Sequence, residues 1–308
     1  MTAVAGEARE QQLAWEARQR PRAAVAAIVS GVLTIVGYLW WGLTLRDAPR
    51  GGFLESLERA GSTPLGDQQS LLIPRFEFLS DRAFGLIGSS VVRGLALLAL
   101  GWAVTFLAIA TRARRREFIK AAVYVVIVGS VLSALALVLV SVGSTLAINN
   151  FLDGERTVDE ASNLSGGSLL ATGDLLSYIG PFIVGAGLLL VSLNAMRAGL
   201  LTRFLGILGV VSGVLAVLPQ LMPVPVIQAF WIVAVGLMLL GAGRAGLPPA
   251  WRTGEAEPWP SAAEAAKRRR ETENRKQGIE PAPAQGPTPT PAAKPHPASK
   301  KRKRKRRD

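Results

Sequence analysis

The chain has 308 residues, of which 49% are hydrophobic, and it carries a formal net charge of +13 at pH 7. It contains no cysteine, so disulfides and thiolate zinc sites are excluded. A single histidine, His296, argues against histidine-based acid–base catalysis and against a histidine metal cluster. The apolar residues are concentrated in long uncharged runs, which is typical of a multispanning membrane protein rather than of two soluble domains.

The apolar runs predict about six transmembrane helices, because about 18 or more apolar residues are needed to cross ~30 Å of hydrocarbon. In chain order they cover residues 23–45, 88–111, 121–146, 175–196, 203–219 and 225–243. The last two come from one run that is too long for one crossing and contains "PQLMPVP" (219–225), where proline predicts a hairpin. The first run is too long for a signal-peptide core and no small-x-small cleavage site follows it, so it is predicted to be retained.

The fold class predicted from this pattern is an all-α, polytopic transmembrane helix bundle with a disordered basic C-terminal tail. Residues 1–22 are interpreted as a cytoplasmic N-terminal segment and residues 23–245 as the six-span domain. A juxtamembrane segment with a short charged helix, 246–277, and a proline-rich tether with a polybasic end, 278–308, complete the domain organisation.

The charge of the loops predicts the orientation of the spans. Residues 112–120 hold five basic residues and one Glu, whereas the next loop, 147–174, holds one Arg and five acidic residues. The link between Arg197 and Arg203 is basic again, and seventeen Lys and Arg follow residue 243. This alternation predicts that both termini lie in the cytoplasm.

Small residues recur at helical spacing on three of the predicted spans and have two interpretations. They line a pore with small polar groups, or they allow helices to pack closely. The packing interpretation is favoured because two of the stripes end in aromatic or amide groups rather than in charge. The stripes are Ala27, Ser30, Thr34 and Gly37; Gly129, Ser133, Ala136 and Gly143; and Gly206, Gly209, Gly213 and Ala216, with Gln220 continuing the last.

Arg93 is the only charged residue in the interior of a predicted span. If its helix begins near Val91, its guanidinium snorkels to the headgroups, which is the favoured interpretation. If the helix begins near Phe84, the arginine lies ~13 Å inside the span and is a functional candidate. The spans contain no Asp, Glu, Lys or His, which argues against a proton-coupled mechanism.

The C-terminal block "KKRKRKRR" is too dense in charge to fold and predicts attraction to an anionic partner. Anionic lipid headgroups are favoured over ribosomal RNA, and DNA and a mere reinforcement of topology remain as alternatives. The predicted binding residues are Lys300, Lys301, Arg302, Lys303, Arg304, Lys305, Arg306 and Arg307.

The stretches "SLNAMRAGLLTRFLGILGVVSGVL" (192–215) and "PPAWRTGEAEPWPS" (248–261) resemble uncharacterised actinobacterial multispanning membrane proteins. The resemblance implies a bacterial plasma-membrane protein and carries no activity or functional residues.

No phosphate loop, serine elbow, paired carboxylates or calcium loop stands out in the sequence, so it predicts no enzyme, cofactor or metal site. The leading hypothesis is a non-enzymatic plasma-membrane protein of unknown biochemical activity whose basic tail contacts anionic lipid or RNA. The alternative is a passive channel or small-solute transporter built on the small-residue stripes.

Overall fold

Helices and short loops make up the residues that the computed structural model describes, which are 2–49, 68–217, 225–242 and 246–259. Within these ranges the β pairing is limited to an isolated bridge between Gln69 and Thr157. The prediction of an all-helical fold is therefore confirmed for the described part of the chain. The proline hairpin before Pro225, the predicted charged helix after Pro260 and the polybasic tail lie outside the described residues.

Four of the helices are long and apolar enough to cross a membrane, which supports the predicted membrane character of the chain. They are α1, α3, α4 and α6, while α7 and α8 are shorter apolar helices of 15 and 14 residues at the predicted fifth and sixth spans. The helices are α1 (Thr2–Thr44), α2 (Ile73–Asp81), α3 (Ala83–Arg114), α4 (Ala121–Asp153), α5 (Val158–Ser162), α6 (Ser168–Arg197), α7 (Arg203–Val217), α8 (Val226–Leu239) and α9 (Ala250–Thr253), with a 3-10 turn at Leu164–Gly166.

Six of these helices form a closed ring. The contacts run in order from α1 to α3, α4, α6, α7 and α8, and α8 packs back against α1. Small residues allow these contacts, since a methyl group added to Gly129 would stand 2.8 Å from the backbone nitrogen of Val184 on the neighbouring helix. Close approach of this kind is how membrane helices pack where lipid removes the hydrophobic drive between them.

Large apolar side chains are exposed on the outer surface of the ring, including Val32, Trp102 and Phe204. In water such an apolar surface would promote aggregation, whereas in a membrane it contacts the lipid chains. Leu100 and Leu188 belong to one cluster of buried apolar residues, to which all six ring helices and α9 contribute.

The N-terminal segment does not form a separate unit. Helix α1 runs without a break through residues 22 and 23, with Pro21 inside it, and Glu16 is buried at 2% exposure. At the other boundary, the compact unit extends to Trp259 and includes the first part of the predicted juxtamembrane segment.

Short segments cover the ends of α4 and α6 opposite the start of α1. Phe76 of α2 packs edge-on against Phe151 with ring centroids 5.1 Å apart, and Ser80 Oγ donates to Asn149 Oδ1 at 2.7 Å. The Ser70 amide donates to the Arg156 carbonyl at 2.8 Å. These contacts attach Ser70 and α2 to the end of α4 and to the residues that follow it.

Candidate functional site

A cavity of about 200 Å³ lies inside the ring and is lined by all six ring helices. Most of its wall is apolar, with Ala96, Leu100, Val184 and Ile232 among the lining residues. Eight polar side chains also line it, namely Ser30, Thr34, Tyr38, Arg93, Ser133, Ser177, Ser212 and Gln228.

Helical periodicity explains why these side chains converge. Ser30, Thr34 and Tyr38 are each four residues apart and therefore share one face of α1. Arg93, Ala96, Leu97 and Leu100 occupy one face of α3 in the same way. Helices α1 and α3 thus each contribute one stripe of residues to the cavity.

Most of the hydroxyl groups around the cavity donate to backbone carbonyls. Ser30 Oγ donates to the Ala96 carbonyl at 2.8 Å, Thr34 Oγ1 to the Ser30 carbonyl at 2.8 Å and Ser212 Oγ to the Leu208 carbonyl at 2.8 Å. Ser133 differs, because its Oγ is buried and has no hydrogen-bond partner among the described residues. An unused donor on a 3% exposed side chain is costly unless a ligand or solvent satisfies it.

Arg93 lines the cavity from α3, which begins at Ala83 and not near Val91 as the snorkelling interpretation assumed. Ten residues separate the start of the helix from Arg93, which corresponds to ~15 Å along the axis. The Nη2 atom donates to Ser90 Oγ at 3.0 Å, and Nε donates to the Ser89 carbonyl at 3.3 Å.

The guanidinium of Arg93 also lies against the aromatic rings of α1. Its Cζ is 5.1 Å from the ring centroid of Tyr38 and 5.6 Å from that of Trp41. Within the described residues no carboxylate forms an ion pair with it. Arg93 is thus a cation at a cavity inside the ring without an acidic partner in the described part of the chain.

The predicted packing glycines of α7 lie at its contact with α6. A methyl group added to Gly206 would stand 2.6 Å from Met196 Cβ, one on Gly213 would stand 2.7 Å from the Gly185 carbonyl oxygen, and one on Gly209 would meet Ser192. Five other members of the stripes line the cavity, namely Ser30, Thr34, Ser133, Ala136 and Ala216, whereas Ala27 packs against Gly236 of α8. The stripes therefore contribute both to the contacts between helices and to the wall of the cavity.

A second polar cluster, which the sequence did not predict, joins α1, α3 and α9. Arg114 and Glu16 form a two-pronged ion pair with N–O distances of 2.7 and 2.8 Å, and their side chains are 0% and 3% exposed. The remaining Arg114 N–H groups donate to the carbonyls of Ala110 and Ala250 at 2.9 to 3.0 Å. Every donor of this buried guanidinium is satisfied.

Aromatic rings complete this cluster. Trp251 stacks on Phe106 with centroids 5.7 Å apart and an angle of 8°, and the Arg114 guanidinium lies 5.4 Å from the Trp251 ring. Trp251 Nε1 donates to the Leu200 carbonyl at 3.0 Å. Trp251 is 5% exposed and packed within the protein.

Neither these residues nor known proteins assign a reaction to the cavity. Among the described residues no three His, Cys, Asp or Glu are grouped in a way that could hold a metal ion. No protein-family model matches the chain, and no curated protein or solved structure matches it either.

Proposed function

We propose that the chain is a six-span protein of the bacterial plasma membrane with both termini in the cytoplasm. The orientation is supported by contacts between the basic links, which lie together at one end of the ring. Arg114, at the start of the α3–α4 link, donates to the Ala250 carbonyl at 3.0 Å, and the Glu257 amide donates to the Ala198 carbonyl of the α6–α7 link at 3.2 Å. The positive-inside rule assigns such an end to the cytoplasm.

The proposed count of six spans adds α7 and α8 to the four long helices. Both lie in the ring beside those helices, with α8 closing it against α1. A methyl group on Gly236 of α8 would stand 2.8 Å from the Ala24 carbonyl oxygen of α1, so the two helices meet as closely as other neighbours in the ring. Helices embedded to this degree in the ring are best counted as spans.

Reporter fusions test this topology. Fusions after residues 116, 160, 200 and 250 are expected to report cytoplasm, exterior, cytoplasm and cytoplasm, since the basic links are retained inside. Paired reporters that are active on opposite sides of the membrane provide the internal control. An exported reporter at residue 116 or 250 would contradict the proposed orientation.

The function we propose is contact between the basic tail, Lys300 to Arg307, and anionic lipid headgroups at the cytoplasmic face. The main support is the block of eight basic residues itself. In addition, Trp259, which precedes the tail in the sequence, lies at the basic end of the ring, where its Nε1 donates to the Leu201 carbonyl at 2.7 Å. Each Lys or Arg near an anionic leaflet contributes ~1 kcal/mol. The proposed role is non-enzymatic.

Residues 278–308 fused to a neutral soluble carrier test the tail directly, because the proposed attraction depends on the charge of the tail and not on contacts with the helices. We expect partitioning onto vesicles containing anionic lipid that weakens steeply as salt rises. The matched control replaces the eight basic residues by glutamine. Nuclease-sensitive binding to ribosomes without binding to vesicles would assign the tail to RNA instead, and binding to neither at low salt would exclude both roles.

The cavity favours a second candidate, a passive channel or small-solute transporter. Six helices contribute to its lining, and the polar groups there would serve a solute that lipid excludes. Flux measured with the purified protein in liposomes tests this candidate. Protein-dependent flux of small polar solutes is expected, and liposomes no leakier than protein-free ones would contradict it.

A further inference from the structure

We infer that the cavity inside the ring binds a small monocarboxylate with an apolar body, whose carboxylate pairs with Arg93. The inference deepens the second candidate function by naming the class of solute. Binding does not require passage across the membrane, so it is measured separately from flux.

The first support is the charge of Arg93. An arginine inside a membrane bundle is costly and normally pairs with an acidic group or lines a functional pathway. Arg93 lines the cavity, and no carboxylate of the described chain pairs with it. Its planar guanidinium is suited to two parallel hydrogen bonds with a carboxylate, and two of its donors are already directed to Ser89 and Ser90, which fixes its orientation.

The second support is a set of donors at one depth in the ring. A methyl group on Gly94 would stand 3.4 Å from the Ala134 carbonyl oxygen. Because Gly94 follows Arg93 in the sequence and Ala134 follows Ser133, Arg93 and Ser133 lie at similar depths on neighbouring helices. Ser133 Oγ is buried without a partner among the described residues. A methyl group on Gly37 would stand 2.6 Å from Arg93 Cγ, which brings Tyr38 to the same level.

The third support is the size and polarity of the remaining wall. A cavity of about 150 Å³ holds a benzene molecule. The volume here is about 200 Å³, so it suits a ring or short chain carrying one small polar group. Ala96, Leu100, Val184 and Ile232 line the rest of the wall, and such a surface favours hydrocarbon over a second charge.

Benzoate is a suitable probe, and its neutral analogue benzamide has the same shape. With the purified full-length protein in detergent, we expect saturable binding of radiolabelled benzoate and far weaker binding of benzamide. Arg93→Gln is expected to weaken benzoate binding by about tenfold to a hundredfold, as loss of a charged hydrogen-bond partner does. Arg75→Gln removes the same charge from an exposed position on α2 and is expected to leave binding unchanged.

Several outcomes would overturn the inference. They are equal binding of benzoate and benzamide, benzoate binding that survives Arg93→Gln, or displacement of benzoate by chloride at equal concentration, which would indicate an inorganic anion site. If Arg93→Gln does not fold, Ser133→Ala and the comparison of the two probes on the unaltered protein decide the matter. Binding without flux in liposomes would retain the site and remove the transporter, whereas flux of small polar solutes without saturable benzoate binding would remove the site and retain the transporter.

Discussion

Glu16→Ala is expected to lower the stability of the folded protein by about 3–5 kcal/mol, which is the usual cost of leaving one partner of a buried ion pair uncompensated. Arg114 is fully buried, and its guanidinium is held by the carbonyl of Ala250 as well as by Glu16. Removal of the carboxylate leaves a cation with carbonyl partners only. Unfolding of the purified protein in mixed micelles, followed by fluorescence against denaturant, measures the change.

The matched control is another ion pair at the same end of the molecule. Arg9 and Glu255 are 2.6 Å apart, but their side chains are 43% and 67% exposed. Glu255→Ala is therefore expected to cost less than ~1 kcal/mol, as exposed pairs generally do. Equal losses in the two variants would contradict the distinction between the pairs. The double variant Glu16→Leu with Arg114→Met is expected to be more stable than Glu16→Ala, because it buries no unpaired charge.

Membrane character was predictable because hydrocarbon imposes a minimum length on every apolar span. The helix ends were not predictable from the same pattern. The span predicted at 121–146 belongs to a helix that continues to Asp153, and the span predicted at 175–196 belongs to a helix that starts at Ser168. Hydropathy marks the part of a helix that lies in lipid, whereas polar residues such as Asn149 continue the helix beyond it.

The candidate site was predictable only in part. Arg93 is evident in the sequence because it is a charge within an apolar run. Tyr38 and Gln228 are not, since their role depends on which faces meet when α8 closes the ring against α1. The Glu16–Arg114 pair joins residues 98 positions apart, one in the predicted cytoplasmic N-terminal segment and one in the predicted basic loop 112–120. Local periodicity contains no information about such contacts.

Gly213→Leu is expected to destabilise the α6–α7 contact by about 1–3 kcal/mol or more, as over-packing of a core does. A Cβ atom at this position would already lie 2.7 Å from the Gly185 carbonyl oxygen and 2.9 Å from the Leu189 amide nitrogen. Both atoms belong to the backbone of α6, which cannot yield as a flexible side chain does. The expected results are a lower yield of folded protein and a lower melting temperature in size-exclusion assays.

The opposing glycine provides a reciprocal test, because a methyl group on Gly185 would stand 2.6 Å from the Gly213 carbonyl oxygen. Gly185→Ala and Gly213→Ala are each expected to destabilise, since the clash begins at Cβ. Gly42→Leu is the matched control, as Gly42 lies in the apolar part of α1 and has nothing within 4 Å of an added Cβ. If Gly213→Leu folded normally and altered permeability instead, this glycine would line a pathway and the packing interpretation would be wrong.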